Sequence, residues 1–356
     1  MSERALLSPV ELGSLALRNR IVMAPMTRSR ALAGDVPGEL SVAYYAARAA
    51  AGLIVTEGTQ PSADGKGYCR TPGLHSAAQV AAWRAVTAAV HAAGGCIVAQ
   101  LMHCGRIGSH YNKEPGARTV APSALRAAGR IFTDQAGLVE HDEPQALTLA
   151  EIPAVIEAYA AAARAARDAG FDGVELHAAS GYLPMQFLSS GTNLRRDAYG
   201  GSLSRRLRFA LEVLEALVAA CGEGRVGLRI CPGNPFNDIH DAAPLETYTQ
   251  LLRALAPLPL AYLHVIRSPD AALDAFALAR AHFAGARILN DGFDFDSGEA
   301  ALRAGAASAI SYARAFIANP DLVERCRRHW PLATFDRRTL YTPGAEGYTS
   351  YPPYRG

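Results

Sequence analysis

Eight short runs rich in Val, Ile and Leu recur along the 356-residue chain, separated by longer alanine-rich segments. Their apolar residues are continuous rather than alternating, which is typical of strands covered on both faces in a parallel sheet. Eight strand–helix units within about 300 residues predict an α/β fold, a (β/α)8 or TIM barrel. The runs are IVMAP (21–25), GLIVTEG (52–58), CIVAQL (96–101), GVELHA (173–178), VGLRIC (226–231), AYLHVI (261–266), ARILNDG (286–292) and AISYAR (309–314).

The segments between the runs carry helix signals. Thr148 and Glu151 form a capping-box pattern ahead of apolar residues at helical spacing, and Gly170 marks the end of that predicted helix. SLSRRLRFALEVLEAL (202–217) and PDLVERCRRHW (320–330) have the same amphipathic character. A doubly wound sheet is the main competing fold, but no strand is followed by G-x-G-x-x-G and no Walker lysine is present.

We expect one domain over residues 1–356. The stretch 104–147 is too long for a plain βα loop and is rich in Gly, Pro and Ser, so it should form a folded excursion over the barrel mouth. The first 20 residues are expected to cover the barrel bottom. The tail at 335–356 should return to the surface, and it is rich in tyrosine.

The composition argues against several classes of protein. Residues are 50% hydrophobic and 19% charged, and the net charge of +2 comes without blocks of like charge. Binding to nucleic acid or to a membrane surface therefore has no support. No signal-like region or membrane-length apolar run is present, so we expect a cytoplasmic protein. Six cysteines are scattered without a C-x-x-C pair, which predicts reduced thiols.

Polar residues close the predicted strands, at the barrel end where chemistry collects in this fold. In chain order they are Thr27; Glu57 and Gly58; Gln100 and His103; His177, Ser180 and Tyr182; Arg229; Asn290 to Gly292; and Arg314. The only tight acid/histidine group, DIHD (238–241), has the character of a solvated loop. No metal site is therefore predicted.

Longer motifs extend in order from about residue 5 to residue 354. They are IVMAPMTRSRA, VTEGT, KGY, AQLMHCGR, VELHAASGYLPMQFLSSGTNLRRDAYGGSLSRRLRF, GLRICP, ARAFIANPDLV and EGYTSYPPY. This ordered set resembles the Old Yellow Enzyme family. The resemblance implies a (β/α)8 barrel that holds FMN and uses NADPH or NADH to reduce activated carbon–carbon double bonds.

A flavin requires partners for its pyrimidine edge, a cation near N1 and a phosphate cradle. Gln100 carries both a donor and an acceptor for the O2/N3 edge, and Arg229 is a permanent cation suited to N1 of the anionic reduced ring. The resemblance adds further contacts at the ring and at the phosphate. It assigns Thr27 to O4, the backbone of Pro25 and Gly58 to the ring, and Arg314 with Gly292, Phe293 and Ala313 to the phosphate. Relatives commonly have glycine where this chain has Ala313.

The stretch HAASGYL suggests the catalytic group. By resemblance, His177 and the residue three positions later hold the substrate oxygen, and Tyr182 protonates the α-carbon after hydride transfer to the β-carbon. Donors aimed at that oxygen stabilise the charge that develops there. Relatives carry Asn or His where this chain has Ser180. The shorter hydroxyl either needs a bridging water to reach the oxygen or only stabilises the turn beside Gly181.

The substrate pocket should be lined by Met102, Tyr68 and Tyr348. Classical relatives often have tryptophan at position 102, so methionine predicts a roomier pocket above the flavin. The alternative for each tyrosine is a half-buried residue that only packs against its neighbours.

The sequence therefore predicts an FMN-dependent ene-reductase that acts on small activated alkenes as a monomer or homodimer. Nicotinamide and substrate would occupy one face in turn, which explains the missing dinucleotide fingerprint. Alternatives are a flavin reductase for nitro groups or nitrate esters, and a flavin-binding protein with little catalytic activity. A metal-dependent barrel aldolase or hydrolase is a more distant alternative.

Overall fold

The eight apolar runs form the parallel strands of a closed barrel. The computed structural model describes residues 4–356. In chain order its strands are β1 (Val10–Leu12), β2 (Leu15–Leu17), β3 (Ile21–Met23), β4 (Leu53–Val55), β5 (Ile97–Leu101), β6 (Val120–Ala121), β7 (Arg130–Thr133), β8 (Gly137–Glu140), β9 (Gln145–Ala146), β10 (Gly173–Ala178), β11 (Val226–Ile230), β12 (Tyr262–Ile266), β13 (Arg287–Asn290) and β14 (Ala309–Tyr312). The barrel order is β3-β4-β5-β10-β11-β12-β13-β14, and β14 pairs with β3 to close it. The predicted barrel is confirmed.

Helices follow the barrel strands and cover the outside of the sheet. They are α1 (Glu39–Ala46), α2 (Ala77–Ala92), α3 (Ile152–Asp168), α4 (Leu183–Leu188), α5 (Leu203–Cys221), α6 (Pro244–Ala254), α7 (Ala275–His282), α8 (Phe295–Arg303), α9 (Arg314–Ala318) and α10 (Leu322–Arg328). The predicted start of α3 is wrong by one turn. Glu151 does accept the backbone N–H of Thr148 at 2.8 Å, but the regular helix begins only at Ile152.

The β1–β2 hairpin closes the N-terminal end of the barrel, as expected. Its residues Leu12, Leu15 and Leu17 pack against apolar side chains from the starts of the barrel strands. Gly13 has a φ of +57°, and a Cβ there would lie 2.6 Å from the carbonyl oxygen of Gly224. Only glycine therefore allows this turn to lie against the barrel.

The segment after β5 and the C-terminal tail lie on the opposite side. The first contains the β7–β8 hairpin and the two-residue strands β6 and β9. The tail is held by two buried arginines: Arg28 donates to the Gly347 carbonyl at 2.6 Å, and Arg30 donates to the Thr339 carbonyl at 2.7 Å. All six cysteines are free, as predicted. Among residues 4–356, no helix is both long enough and apolar enough to cross a membrane.

Candidate active site

His177 lies at the C-terminal end of β10, directly opposite Arg229 of β11 in the parallel register. It is buried, and its Nδ1 has no hydrogen-bond partner in the described part of the chain. Burial, together with the charge of Arg229, lowers the pKa of His177 to about 3. The imidazole is therefore neutral at physiological pH, with one ring nitrogen able to donate and the other able to accept.

Tyr182 lies next to His177, just before α4. The two rings meet edge to face with centroids 4.8 Å apart. The Tyr182 hydroxyl donates to the Tyr68 hydroxyl at 3.1 Å. Burial, with the neighbouring Tyr68 as a further cause, raises the pKa of Tyr182 well above its usual value of 10. The phenol therefore keeps its proton across the physiological range, which a general acid requires.

Ser180 adopts a left-handed backbone conformation between these two residues. Its φ is +55°, and Gly181 follows with a φ of +76°. The Ser180 N–H donates to the Cys231 sulfur at 2.9 Å, and its carbonyl accepts from Nδ2 of Asn237 at 2.8 Å. Hydrogen bonds made by the backbone N–H and carbonyl of Ser180 therefore hold this turn. The side chain is not needed for it, so the hydroxyl is available for another role.

Gln100, Glu175 and Arg229 lie on three adjacent barrel strands, β5, β10 and β11. Gln100 and Glu175 are opposite each other in register, and Nε2 of Gln100 donates to Oε1 of Glu175 at 2.7 Å. Arg229 donates to Oδ1 of Asn290 at 2.7 Å and lies 2.9 Å from Nδ1 of His264. The amide of Gln100 and the guanidinium of Arg229 thus lie on the two strands that flank β10.

Met102 packs beside Tyr182. It shares an apolar cluster with Tyr182 and Tyr68. A Cβ on Gly58 would lie 2.4 Å from Cε of Met102, so a larger residue at position 58 would have to displace the Met102 side chain. The two other predicted ring contacts, Pro25 and Thr27, are half-buried residues of the loop after β3.

The loops after β13 and β14 bring the predicted phosphate residues together. Arg314 begins α9, is 72% exposed and lies 3.6 Å from Asp291. Gly292 has a φ of +74°, whereas Ala313 has a φ of −98°. A glycine is therefore not required at position 313, and the methyl group needs no backbone shift.

Arg267 was missed by the sequence analysis. It follows β12 directly, and its guanidinium lies over the rings of Phe276 and Phe293 at 4.7 and 5.3 Å. Its Nε donates to the Asp291 carbonyl at 3.2 Å. Arg267 and Arg314 therefore flank Asp291. An arginine directly after an apolar run was the available signal.

Tyr348 is the residue whose position differs most from the prediction. It is fully buried and stacks on Tyr44 with centroids 4.1 Å apart. The guanidinium groups of Arg28 and Arg30 lie over its ring at 5.2 and 5.0 Å. A ring with no exposed face offers nothing to a substrate, so the structure does not support Tyr348 as a pocket residue. It packs the C-terminal tail against the barrel.

Comparison with known proteins decides the family. Residues 5–333 match the profile of the NADH:flavin oxidoreductase / NADH oxidase family. The chain belongs to this family. A Leishmania infantum protein named "Probable flavin mononucleotide-dependent alkene reductase" is 40% identical over 98% of this chain and 97% of its own length.

Solved structures agree in fold and in sequence. The Old Yellow Enzyme homologue from Zymomonas mobilis matches with a TM-score of 0.95 and 39% identity, covering 98% of this chain and all of its own. Morphinone reductase in complex with tetrahydroNAD matches with a TM-score of 0.94 and 42% identity over 99% of this chain and 98% of its own. The protein is thus an FMN-dependent oxidoreductase of the Old Yellow Enzyme type.

Proposed function

We propose that this enzyme reduces the activated carbon–carbon double bond of α,β-unsaturated carbonyl or nitro compounds, with NADPH or NADH as the hydride source. The observation that carries the proposal is the pairing of a neutral imidazole and a protonated phenol at one strand end. The ring centroids of His177 and Tyr182 are 4.8 Å apart, and Nδ1 of the histidine has no hydrogen-bond partner among residues 4–356. A buried polar atom without a partner is a natural site for a ligand.

The residues around this pair fit FMN. Gln100 has an amide oxygen and a second N–H left after its bond to Glu175, which suits a ring edge with both a donor and an acceptor. Arg229 supplies a buried cation. Arg314 and Arg267 supply two further cations at the far end of the barrel mouth, where this fold binds phosphate. The chemistry that bound FMN supplies is carriage of a hydride from a nicotinamide to the alkene.

His177 is proposed to hold the substrate oxygen. As the alkene receives a hydride at its β-carbon, negative charge develops on the carbonyl or nitro oxygen, and an N–H donor aimed at that oxygen stabilises the transition state. The low pKa of His177, caused first by burial, means that this donor is neutral imidazole rather than imidazolium. Ser180 is proposed as the second donor, directly or through one water.

Tyr182 is proposed to donate its proton to the α-carbon. Its hydroxyl proton points to Tyr68 at 3.1 Å in the resting enzyme, and it turns to the substrate during the reaction. The proton leaves the phenol oxygen and forms the new C–H bond, and the phenolate left behind can accept a hydrogen bond from Tyr68. Water then returns the proton.

The test is the visible spectrum of the purified protein and its response to substrates without oxygen. We expect a yellow protein that releases FMN on denaturation, is bleached by NADPH or NADH, and regains its colour when 2-cyclohexenone is added. A colourless protein after reconstitution with FMN would overturn the proposal. Recovery of colour with nitrate esters but not with enones would favour the nitrate-ester alternative.

A further inference from the structure

A buried carboxylate, Glu175, lies inside the barrel between two predicted flavin ligands, and the proposed reaction assigns it no role. Its side chain and that of His264 are completely buried. Moving a carboxylate from water into such a place is costly unless other groups compensate its charge. An apolar residue would have filled the same space. The contacts of the carboxylate with its neighbours indicate its role.

The first neighbour is Gln100. Its Nε2 donates to Oε1 of Glu175 at 2.7 Å. An ionised carboxylate can only accept hydrogen bonds, so the amide nitrogen of Gln100, rather than its oxygen, must face Glu175. The amide oxygen and the second N–H are then presented in one fixed order. Glu175 therefore determines which way round Gln100 offers its acceptor and its donor to a ligand.

The second neighbour is His264 on β12, which links Glu175 to Arg229. Nδ1 of His264 lies 2.8 Å from Oε2 of Glu175, so this nitrogen carries the proton. Nε2 lies 2.7 Å from the Ser311 hydroxyl and within reach of the guanidinium of Arg229. Burial, together with the charge of Arg229, lowers the pKa of His264 to about 4, so the imidazole is neutral.

The charges of this network therefore balance without a ligand. Burial alone would raise the pKa of Glu175, but His264, Arg229 and the bond from Gln100 outweigh burial and lower it, so the carboxylate is ionised. One negative charge on Glu175 offsets one positive charge on Arg229. A hydride brings two electrons and one proton, so reduction adds one negative charge to a bound flavin. That added charge is attracted by Arg229 and repelled by Glu175.

We propose that Glu175 is a positioning residue for the flavin, which fixes the orientation of the Gln100 amide and, through neutral His264, offsets the charge of Arg229 and lowers the reduction potential of bound FMN. This inference rests on the proposed binding of FMN. It predicts that removing the carboxylate charge makes the flavin easier to reduce, whereas removing Arg229 makes it harder.

The experiment measures the midpoint potential of the holoenzyme by equilibration with a reference dye, and FMN affinity by fluorescence quenching. In Glu175→Gln, binding of reduced FMN relative to oxidised FMN should strengthen about tenfold, which raises the potential by about 30 mV for a two-electron couple. Oxidised FMN should bind more weakly, because the neutral side chain no longer dictates the orientation of Gln100. Glu175→Asp keeps the charge and should have a potential close to that of the parent.

Two further variants keep the test decisive. Glu212→Gln removes a carboxylate on α5 that pairs with Arg208, outside the barrel, and should leave the potential unchanged. Glu175→Gln combined with Arg229→Gln leaves no lone buried charge to oppose folding, and its potential should lie above that of Arg229→Gln alone. Equal potentials in those two variants would refute the proposal, as would an unchanged or lower potential in Glu175→Gln. If the parent protein itself bound no FMN, the proposed function would fail instead.

Discussion

Tyr68→Phe tests whether the hydroxyl of Tyr68 supports proton donation by Tyr182. The two oxygens are 3.1 Å apart, and Nδ2 of Asn237 lies 3.5 Å from the Tyr68 oxygen on the other side. In the resting enzyme the bond joins two neutral phenols, and burial raises the pKa of Tyr68 to about 12. When Tyr182 releases its proton, the direction reverses, and the Tyr68 hydroxyl donates to the Tyr182 phenolate. The variant removes that bond and leaves the ring in place.

The size of the effect follows from the change in charge. A hydrogen bond between neutral groups contributes roughly 0.5–1.5 kcal/mol, and one to a charged group roughly 1.5–3 kcal/mol. The difference of about 1–1.5 kcal/mol, realised only as the phenolate forms, should slow proton transfer by roughly five- to tenfold. Tyr182→Phe removes the acid itself and should cost about 100-fold or more in that step, unless solvent supplies the proton.

The assay is anaerobic stopped-flow spectroscopy of both half-reactions, in water and in heavy water. Reduction of the flavin by NADPH should be unchanged in Tyr68→Phe, whereas reoxidation by 2-cyclohexenone should slow and its solvent isotope effect should rise. Tyr248→Phe is the matched control, since Tyr248 is a buried tyrosine whose hydroxyl has no partner among residues 4–356. Equal slowing of both half-reactions would show that position 68 only shapes the pocket. Parent-like rates in both solvents would show that the contact has no catalytic role.

Four further results are expected. Arg229→Ala should weaken FMN retention or slow flavin reduction, measured as flavin content and as the rate of bleaching by NADPH. Met102→Trp should reduce turnover of alkenes with bulky β-substituents more than that of small enones, and an unchanged substrate ranking would place position 102 outside the pocket. Ser180→Ala should lower enone turnover about tenfold with flavin reduction intact, and Ser180→Asn should tighten phenol binding, followed by the long-wavelength charge-transfer band. Because the pKa of His177 is lowered to about 3, phenol affinity should show no histidine titration between pH 5 and pH 8; a step in that range would contradict the neutral imidazole.

The barrel was predictable because parallel strands buried on both faces have continuous apolar runs, and such runs stand out from helical spacing. Strand ends were less predictable. The run at 52–58 forms a strand only over Leu53–Val55, because the chain then turns and the Thr56 hydroxyl accepts the backbone N–H of Gln100 at 3.0 Å. A side-chain bond of this kind leaves no periodic signal in the sequence.

The candidate site was predictable where it lies on the ends of predicted strands. Contacts between distant segments were not, because no local pattern reports them. Tyr68 and Tyr182 are 114 positions apart. The tail has no periodicity that reveals the burial of Tyr348, and the packing of this ring depends on Arg28 and Arg30 from the other end of the chain.

From the conformation of Ser180 we expect that a substitution by Asn at this position can change the chemistry without changing the fold. A left-handed backbone disfavours most side chains, and Asn is among the few that tolerate it well. An Asn at this position, as in relatives, suits the turn by its own conformational preference. In this chain the residue is serine, and the hydrogen bonds from Asn237 and to Cys231 hold the turn. Because both bonds are made by the backbone of residue 180, we expect the turn to persist when Asn replaces Ser. Ser180→Asn should be tolerated without loss of stability, and any change in phenol binding can then be attributed to the amide donor rather than to a moved backbone.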